Sequence, residues 1–156
     1  MDGDSARITE MDSAESEAVR GLLVALTLEE QPHFDHPEET AGEVAERLRI
    51  TPRYIAENRF LVAHDDAGAA IGFCWVSLFD PGNGLEAEVV ELFVRPEHRG
   101  RGVATQLATA AMTLIRGRGV TFASVWTRSD NPAALAVYRA AGFTPTEQTV
   151  LTWLPH

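Results

Sequence analysis

The sequence predicts a mixed α/β domain in which helices pack against a mostly antiparallel sheet. Three strand-like segments follow one another between residues 60 and 94, separated by glycine-containing turns of the kind that join antiparallel neighbours. Beyond residue 94 the chain alternates helix-like and strand-like segments, which places helices on the faces of the sheet.

Ahead of these strands the sequence predicts a short strand and a first helix. Residues 7–9 form the strand, and Asp12 or Ser13 caps a helix that ends near Glu30. The prolines of residues 31–37 then indicate a loop. The helix is assigned from apolar residues at helical spacing, namely Val19, Leu22, Leu23 and Leu26.

A second helix and the three central strands follow. The helix carries Val44, Ala45 and Leu48 on its apolar side, and one further helical turn is predicted from Pro52 to Asn58. The strands are residues 60–63, 70–79 and 86–94.

The last third of the chain alternates helix and strand. The predicted elements are a helix at 102–116, a strand at 120–126, a helix at 131–141 and a closing strand at 148–154. The closing strand alternates apolar and polar residues imperfectly and leaves an exposed edge, so a homodimer through this region is one expectation.

Size and composition describe one soluble globular domain that spans residues 1–156, with 45% apolar and 23% charged residues. The longest apolar segments are about half as long as a membrane span, and the amino terminus is acidic where a signal peptide is basic. We therefore expect a cytoplasmic protein without a membrane partner. The only cysteine, Cys74, excludes an intramolecular disulfide and is expected to be a small buried side chain.

The net charge of −10 is concentrated at the amino-terminal end, because residues 1–50 hold 13 Asp and Glu against 4 Arg. Such a chain repels phosphate backbones, so nucleic acid is not an expected partner. A cationic partner or substrate suits the charge better, although an acidic face that only maintains solubility is the alternative.

The segment 91–105 has the composition of an anion-binding loop. An apolar strand breaks at Pro96, and a run of alternating arginine and glycine then leads directly into an amphipathic helix. Glycines allow successive N–H groups to point into one concavity, and the helix start adds unpaired N–H donors. A P-loop is disfavoured because the Gly-Lys-Ser/Thr ending is missing, and a Rossmann site because the glycine spacing differs.

Two motifs in this part of the chain resemble the GNAT family of acetyltransferases. Arg99-Gly100-Arg101-Gly102-Val103-Ala104 is similar to the family signature Gln/Arg-x-x-Gly-x-Gly/Ala. The run from Asn131 to Phe143 is similar to the second element, Asn-x6-Tyr followed by Gly-Phe. The resemblance implies the GNAT fold, whose central sheet has splayed strands and flanking helices, and acetyl-coenzyme A as cosubstrate.

The resemblance also implies where the coenzyme binds. Backbone amides from Gly100 to Thr105 would hold the pyrophosphate, the pantetheine would pair with strand backbone at residues 92–94, and Asn131 would contact the coenzyme. The candidate coenzyme-binding residues are Leu92, Phe93, Val94, Arg99, Gly100, Arg101, Gly102, Val103, Ala104, Thr105, Asn131 and Tyr138.

A thioester is already activated, so catalysis gains mainly from holding the amine beside the carbonyl carbon. The resemblance implies direct transfer in a ternary complex, with Tyr138 as the general acid. Some relatives carry a glutamate base where this chain has Trp126, so Glu88 and Glu91 are the remaining candidates, Glu91 being preferred. The two point in opposite directions in a regular strand, and a bulge would change this.

Residues 1–57 are expected to supply the acceptor-side helices, and residues 58–156 the sheet and the coenzyme half. The loop 33–36, with two histidines and an aspartate, is expected to line the acceptor pocket and not to bind metal. Its acidic surroundings favour a small primary amine, including a polycationic one. The alternatives are a protein lysine or amino-terminal acetyltransferase and a non-catalytic coenzyme A-binding module. The acidic residues are Glu29, Glu30, Glu38 and Glu39.

Overall fold

The structure is a computed structural model that describes residues 6–12, 17–33, 38–48, 57–80 and 84–153. Short 3-10 turns precede and follow the first helix, and a third one, Pro96–His98, follows the fourth strand. None of the described helices is long and apolar enough to cross a bilayer. The elements are β1 (Arg7–Asp12), α1 (Arg20–Glu30), α2 (Ala41–Arg47), β2 (Glu57–His64), β3 (Ala70–Phe79), β4 (Glu86–Val94), α3 (Val103–Gly117), β5 (Phe122–Val125) and α4 (Pro132–Ala141).

The five strands form one sheet in the order β1-β2-β3-β4-β5. Neighbours are antiparallel except β4 and β5, which run parallel. Only Glu86–Val89 of β4 pairs with β5, so the strands diverge and residues 90–94 have no strand on that side among the described residues. The predicted fold class, a mostly antiparallel sheet with splayed strands and flanking helices, is confirmed.

A β-bulge in β4 sets the direction of its side chains. Val76 pairs with Val89 and Trp75 pairs with Glu91, so Val90 is an extra residue without a partner on β3. Glu88 lies opposite Ser77, two residues from Trp75. Because strand residues two apart share a face, the bulge places Glu88 and Glu91 on the same face of the sheet.

Both faces of the sheet are covered by helices. On one face, α3 packs Leu107 and Ala111 against a cluster that contains Cys74. The other face packs Phe73 and Phe93 against the apolar side of α1. Cys74 is fully buried as predicted, and its burial raises the pKa of the thiol to about 12.

Three predicted features differ from the structure. Asp12 does not cap α1, because β1 continues to that residue and pairs it with Arg59, while Ser13 lies outside the described residues. Asn58 belongs to β2 and not to a helical turn, since it pairs with Ser77 in the sheet. Residues 148–153 form no strand, because no neighbouring strand pairs with them within the described chain.

Candidate active site

A cavity of about 490 Å³ lies where the end of α1, the bulge of β4 and the start of α4 come together. Four of the catalytic and coenzyme-binding residues proposed from sequence line it: Glu91 and Leu92 of β4, and Asn131 and Tyr138 at the cap and in the body of α4. The lining residues are Leu26, Thr27, Glu30, Gln31, Arg47, Val90, Glu91, Leu92, Trp126, Thr127, Arg128, Asn131, Ala134 and Tyr138.

The position of Tyr138 follows from the ends of its helix. The side chain of Asn131 caps α4 by accepting a hydrogen bond from the N–H of Ala134 at 3.1 Å, and Pro132 occupies the first turn. Gly142 ends the helix with a φ of +105°, a conformation that favours glycine. Tyr138 lies seven residues after the cap, about two turns along the same face.

The hydroxyl group of Tyr138 is a proton donor at neutral pH. Burial raises the pKa of Tyr138 well above its usual range, and the nearby Cys74 and Glu91 side chains raise this pKa further. The ring is held by an edge-to-face contact with Phe143, with centroids 6.0 Å apart. A protonated phenol therefore lies near the carboxylate of Glu91 in one cavity.

The two candidate bases differ in access although they share a face. Glu91 is half-buried and lines the cavity, whereas Glu88 is only 5% exposed and does not line it. Trp126, which stands where some relatives carry a glutamate, lines the same cavity and is 60% exposed. The geometry thus associates Glu91, and not Glu88, with Tyr138.

The glycine loop has the features of a phosphate-binding site. Gly100 and Gly102 have φ values of +73° and +83°, and a Cβ atom at either position would meet nothing within 4 Å. No side chain caps α3, so its first N–H groups, from Val103 to Thr105, are available to an external acceptor. The loop therefore fits a bound pyrophosphate through its backbone.

Several other predicted coenzyme-binding residues have buried side chains, so only their backbone atoms could contact a ligand. The side chains of Phe93, Val94 and Val103 are 4%, 6% and 3% exposed and pack in the two cores. The outer edge of β4 at residues 90–94 has no neighbouring strand in the described chain, which leaves room for a ligand to pair with it. Leu92 is half-buried and lines the cavity. Ala104 is half-buried, and Thr105 is exposed.

The two loop arginines do not line the large cavity. The guanidinium group of Arg99 pairs with Glu29 at 2.7 Å. Arg101 lines a second cavity of about 310 Å³ together with His98, Asp65 and neighbouring residues of the β2–β3 turn.

Arginines pair with three of the four glutamates that the sequence places on the expected acceptor side. Glu29 pairs with Arg99, Glu30 with Arg128 at 3.2 Å, and Glu39 accepts hydrogen bonds from Arg47. Arg47 and Arg128 also line the cavity, and no sequence pattern predicts this because their places there depend on contacts with distant segments. Of the predicted loop 33–36, residues 34–36 lie outside the described part of the chain.

Comparison with known proteins agrees with this geometry. The sequence profile of the Acetyltransferase (GNAT) family matches residues 23–143. The mycothiol acetyltransferase of Clavibacter michiganensis subsp. michiganensis is 32% identical over 111 residues, which are 69% of this chain and 34% of that protein. The Salinispora tropica mycothiol acetyltransferase is 34% identical over 123 residues, 76% of this chain and 39% of that protein. The chain thus spans little more than a third of these curated relatives.

Solved structures give the same result for the fold. A Pyrococcus furiosus protein assigned as an acetyl transferase superposes with a TM-score of 0.73 at 20% identity, covering 96% of this chain and 100% of that chain. The AAC(6')-Iy complex with the bisubstrate analogue CoA-S-monomethyl-acetylneamine gives a TM-score of 0.63 at 26% identity, covering 97% and 99%. GNAT acetyltransferases use acetyl-coenzyme A. Motifs, fold and profile agree, and the chain belongs to the GNAT acetyltransferase family.

Proposed function

We propose that this protein transfers an acetyl group from acetyl-coenzyme A to the primary amine of a small molecule, directly and within a ternary complex. One observation carries the proposal. The cavity beside the unpaired edge of β4 brings the carboxylate of Glu91 together with the protonated hydroxyl group of Tyr138. These are the two proton-transfer groups that amine acetylation needs.

The residues that would hold the coenzyme are backbone groups. The N–H groups from Gly100 to Thr105 would bind the pyrophosphate, and the free edge of β4 at residues 92–94 would pair with the pantetheine. Asn131, which already caps α4, lines the cavity beside this groove. Acetyl-coenzyme A supplies an activated thioester carbonyl to this site.

Each step of the transfer has a group in or beside the cavity. Glu91 takes a proton from the ammonium group, either directly or through a water molecule, so that the neutral amine can form the new C–N bond. The N–H of Val94, which points to the edge of β4 away from β3, stabilises the negative charge that develops on the carbonyl oxygen. As the C–S bond breaks, the nitrogen atom loses its second proton to solvent and Tyr138 donates its proton to the sulfur atom. Solvent then returns a proton to the phenol and takes the proton from Glu91, so that the products are the amide, the free thiol and one released proton.

The acceptor is proposed to be small because the cavity is of the size that binds small ligands. The AAC(6')-Iy relative, crystallised with an acetylneamine-based bisubstrate analogue, supports an amine-bearing small molecule. The lining carries two carboxylates, Glu30 and Glu91, and two guanidinium groups, Arg47 and Arg128. The charges of the lining do not by themselves select a polycationic acceptor, so this acceptor class is a prediction to be tested by measuring turnover across different amines.

The test is release of free thiol from acetyl-coenzyme A in the presence of aminoglycosides, polyamines, amino acids and basic peptides. We expect turnover with one class of small amine. Glu91→Gln is expected to lower kcat by about 10²-fold or more at neutral pH. Glu88→Gln is the matched control, because it makes the same change on the same face of β4 outside the cavity.

The other outcomes identify the alternatives. Turnover restricted to peptides would indicate a protein lysine or amino-terminal acetyltransferase. Tight coenzyme A binding, measured by calorimetry, without turnover on any amine would indicate a non-catalytic coenzyme A-binding module. An equal loss of activity in both glutamine variants would remove Glu91 from its proposed role.

We further propose a homodimer in which each carboxy-terminal segment pairs with the free edge of β5 in the other copy. Phe122 and Trp126 on or beside β5 are 55% and 60% exposed, and Trp153 of the terminal segment is 81% exposed. The exposed parts of these three residues amount to about 300–500 Å², roughly 40–60% of what one partner buries in a standard interface. One chain carries both the β5 edge and the strand-like carboxy-terminal segment. In a dimer, each segment can therefore form backbone hydrogen bonds with the β5 edge of the other copy.

Light scattering after size exclusion tests this dimer, and a molecular mass of two chains at micromolar concentration is expected. Trp153→Lys is expected to yield the monomer with an unchanged circular dichroism spectrum. A monomeric wild type at 100-fold higher concentration would overturn the dimer and leave the proposed reaction untouched.

A further inference from the structure

Helix α1 ends in two consecutive glutamates that each contact a distant arginine. Arg99 Nη2 donates to Glu29 Oε2 at 2.7 Å, and Arg128 Nη1 donates to Glu30 Oε2 at 3.2 Å. Arg99 begins the glycine loop, and Arg128 lies between β5 and α4. The two pairs therefore connect the end of α1 to two segments on the coenzyme side of the cavity.

The side chain of Arg99 is directed toward α1 by three contacts. Besides the pair with Glu29, its Nε donates to the carbonyl oxygen of Val94 at 2.8 Å. Its guanidinium carbon lies 5.6 Å from the centre of the Phe93 ring, on the face of the sheet that packs α1. The guanidinium group thus bonds both to the end of β4 and to α1.

The position of α1 matters because this helix carries one wall of the cavity. Thr27 and Glu30 of α1 line the cavity opposite Glu91 and Tyr138. Exposed ion pairs contribute little to global stability, and both pairs are about 40% exposed. Their effect is expected on the placement of this wall, since small displacements of positioning groups lower the rate strongly.

We propose that Arg99 and Arg128 are positioning residues that hold the acceptor-side helix α1 against the coenzyme-side segments through Glu29 and Glu30. This inference gives Arg99, expected from the sequence to be a coenzyme-binding residue, a different role, and coenzyme A binding by the Arg99 variant distinguishes the two. Only the expected effect on the acceptor KM rests on the proposed function, because the ion pairs that hold α1 are present without substrate.

The first test is hydrogen exchange of the α1 amides in the protein without substrates. Arg99→Gln and Glu29→Gln are each expected to increase exchange at the last turn of α1 by about fivefold, as expected for loss of one exposed pair. The double variant should exchange no faster than either single variant, because both remove the same contact. Arg101→Gln, which removes the same charge from the same loop, is the matched control and should leave α1 exchange unchanged.

The second test separates positioning from coenzyme binding. The dissociation constant of coenzyme A, measured by calorimetry, should change less than twofold in Arg99→Gln, while the KM of the acceptor rises about fivefold. The charge exchange of Glu29→Arg with Arg99→Glu should recover part of the wild-type KM, because it restores the ion pair but not the hydrogen bond to Val94 or the contact with Phe93.

Two results would overturn the inference. One is coenzyme A binding that weakens tenfold or more in Arg99→Gln but not in Glu29→Gln, which would make Arg99 a pyrophosphate ligand. The other is α1 exchange that is the same in all variants. If no acceptor is turned over, the exchange measurement still decides the attachment of α1, so failure of the proposed reaction is distinguishable from failure of this inference.

Discussion

Replacing Tyr138 with phenylalanine removes one hydroxyl group from the cavity, and the expected result is a fall in kcat of about 10²-fold. General acids contribute about 10²–10⁴-fold, or roughly 2.7–5.4 kcal/mol of barrier. The lower end applies because the departing thiolate, with a pKa near 8.5 by analogy with cysteine, is already a moderately good leaving group. The ring should stay in place through its edge contact with Phe143.

The assay is thiol release at saturating substrates from pH 6.5 to 9.5, with coenzyme A binding measured in parallel. Burial raises the pKa of Tyr138 well above the usual tyrosine value of about 10, so wild-type kcat should not fall over this range through loss of the phenol proton. Phe143→Leu is the matched control, because it loosens the ring but keeps the hydroxyl group. A decrease of less than threefold in Tyr138→Phe, with binding unchanged, would refute the role of general acid.

Three further predictions test the loop, the sheet and an ion pair. Gly102→Ala should weaken coenzyme A binding at least tenfold and lower the free energy of unfolding by ~1–2 kcal/mol. Gly68 has the same φ of +83° and equally open space, so Gly68→Ala should lower the free energy of unfolding by the same amount without affecting binding. Gly72→Ala should lower the free energy of unfolding in urea by about 1–3 kcal/mol, because its methyl group would lie 2.7 Å from a carbonyl oxygen of β4. The hydrogen bond from Arg118 at 2.7 Å, with the contribution of Arg59, lowers the pKa of Glu57 to about 2. The ionised Glu57 carboxylate should stabilise the fold fully above about pH 5, and this stabilisation should disappear as the pH falls toward 2. The free energy of unfolding of Glu57→Gln, measured by chemical denaturation, should therefore match that of wild type only in acid.

The elements that the sequence predicts well are those with strong local signals. Residues 70–79 and 86–94 match β3 and β4, because apolar runs between turn residues mark both ends. Asn131 and Gly142 mark the ends of α4 in the same way. The two motifs that identify the family lie in this part of the chain.

The features that the sequence does not predict depend on contacts between distant residues. The start of α1 has no side-chain cap to mark it. The pairs of Glu29 with Arg99 and of Glu30 with Arg128 join residues 70 and 98 positions apart. The terminal segment has the composition of a strand, but a strand forms only where a neighbour accepts its hydrogen bonds, and none does within the described chain.

The bulge at Val90 shows how one extra residue determines the chemistry of the site. In a regular strand, Glu88 and Glu91 would lie on opposite faces, and one of them would enter the core beside α3. The extra residue places both glutamate side chains on the face that packs against α1. There Glu91 pairs with Trp75 of β3 and lines the cavity. Beyond the same residue, β4 has no pairing with β5, so its edge becomes available to a ligand. The position of the Glu91 carboxylate and the proposed coenzyme groove therefore have a common structural origin, and deletion of Val90 should abolish both.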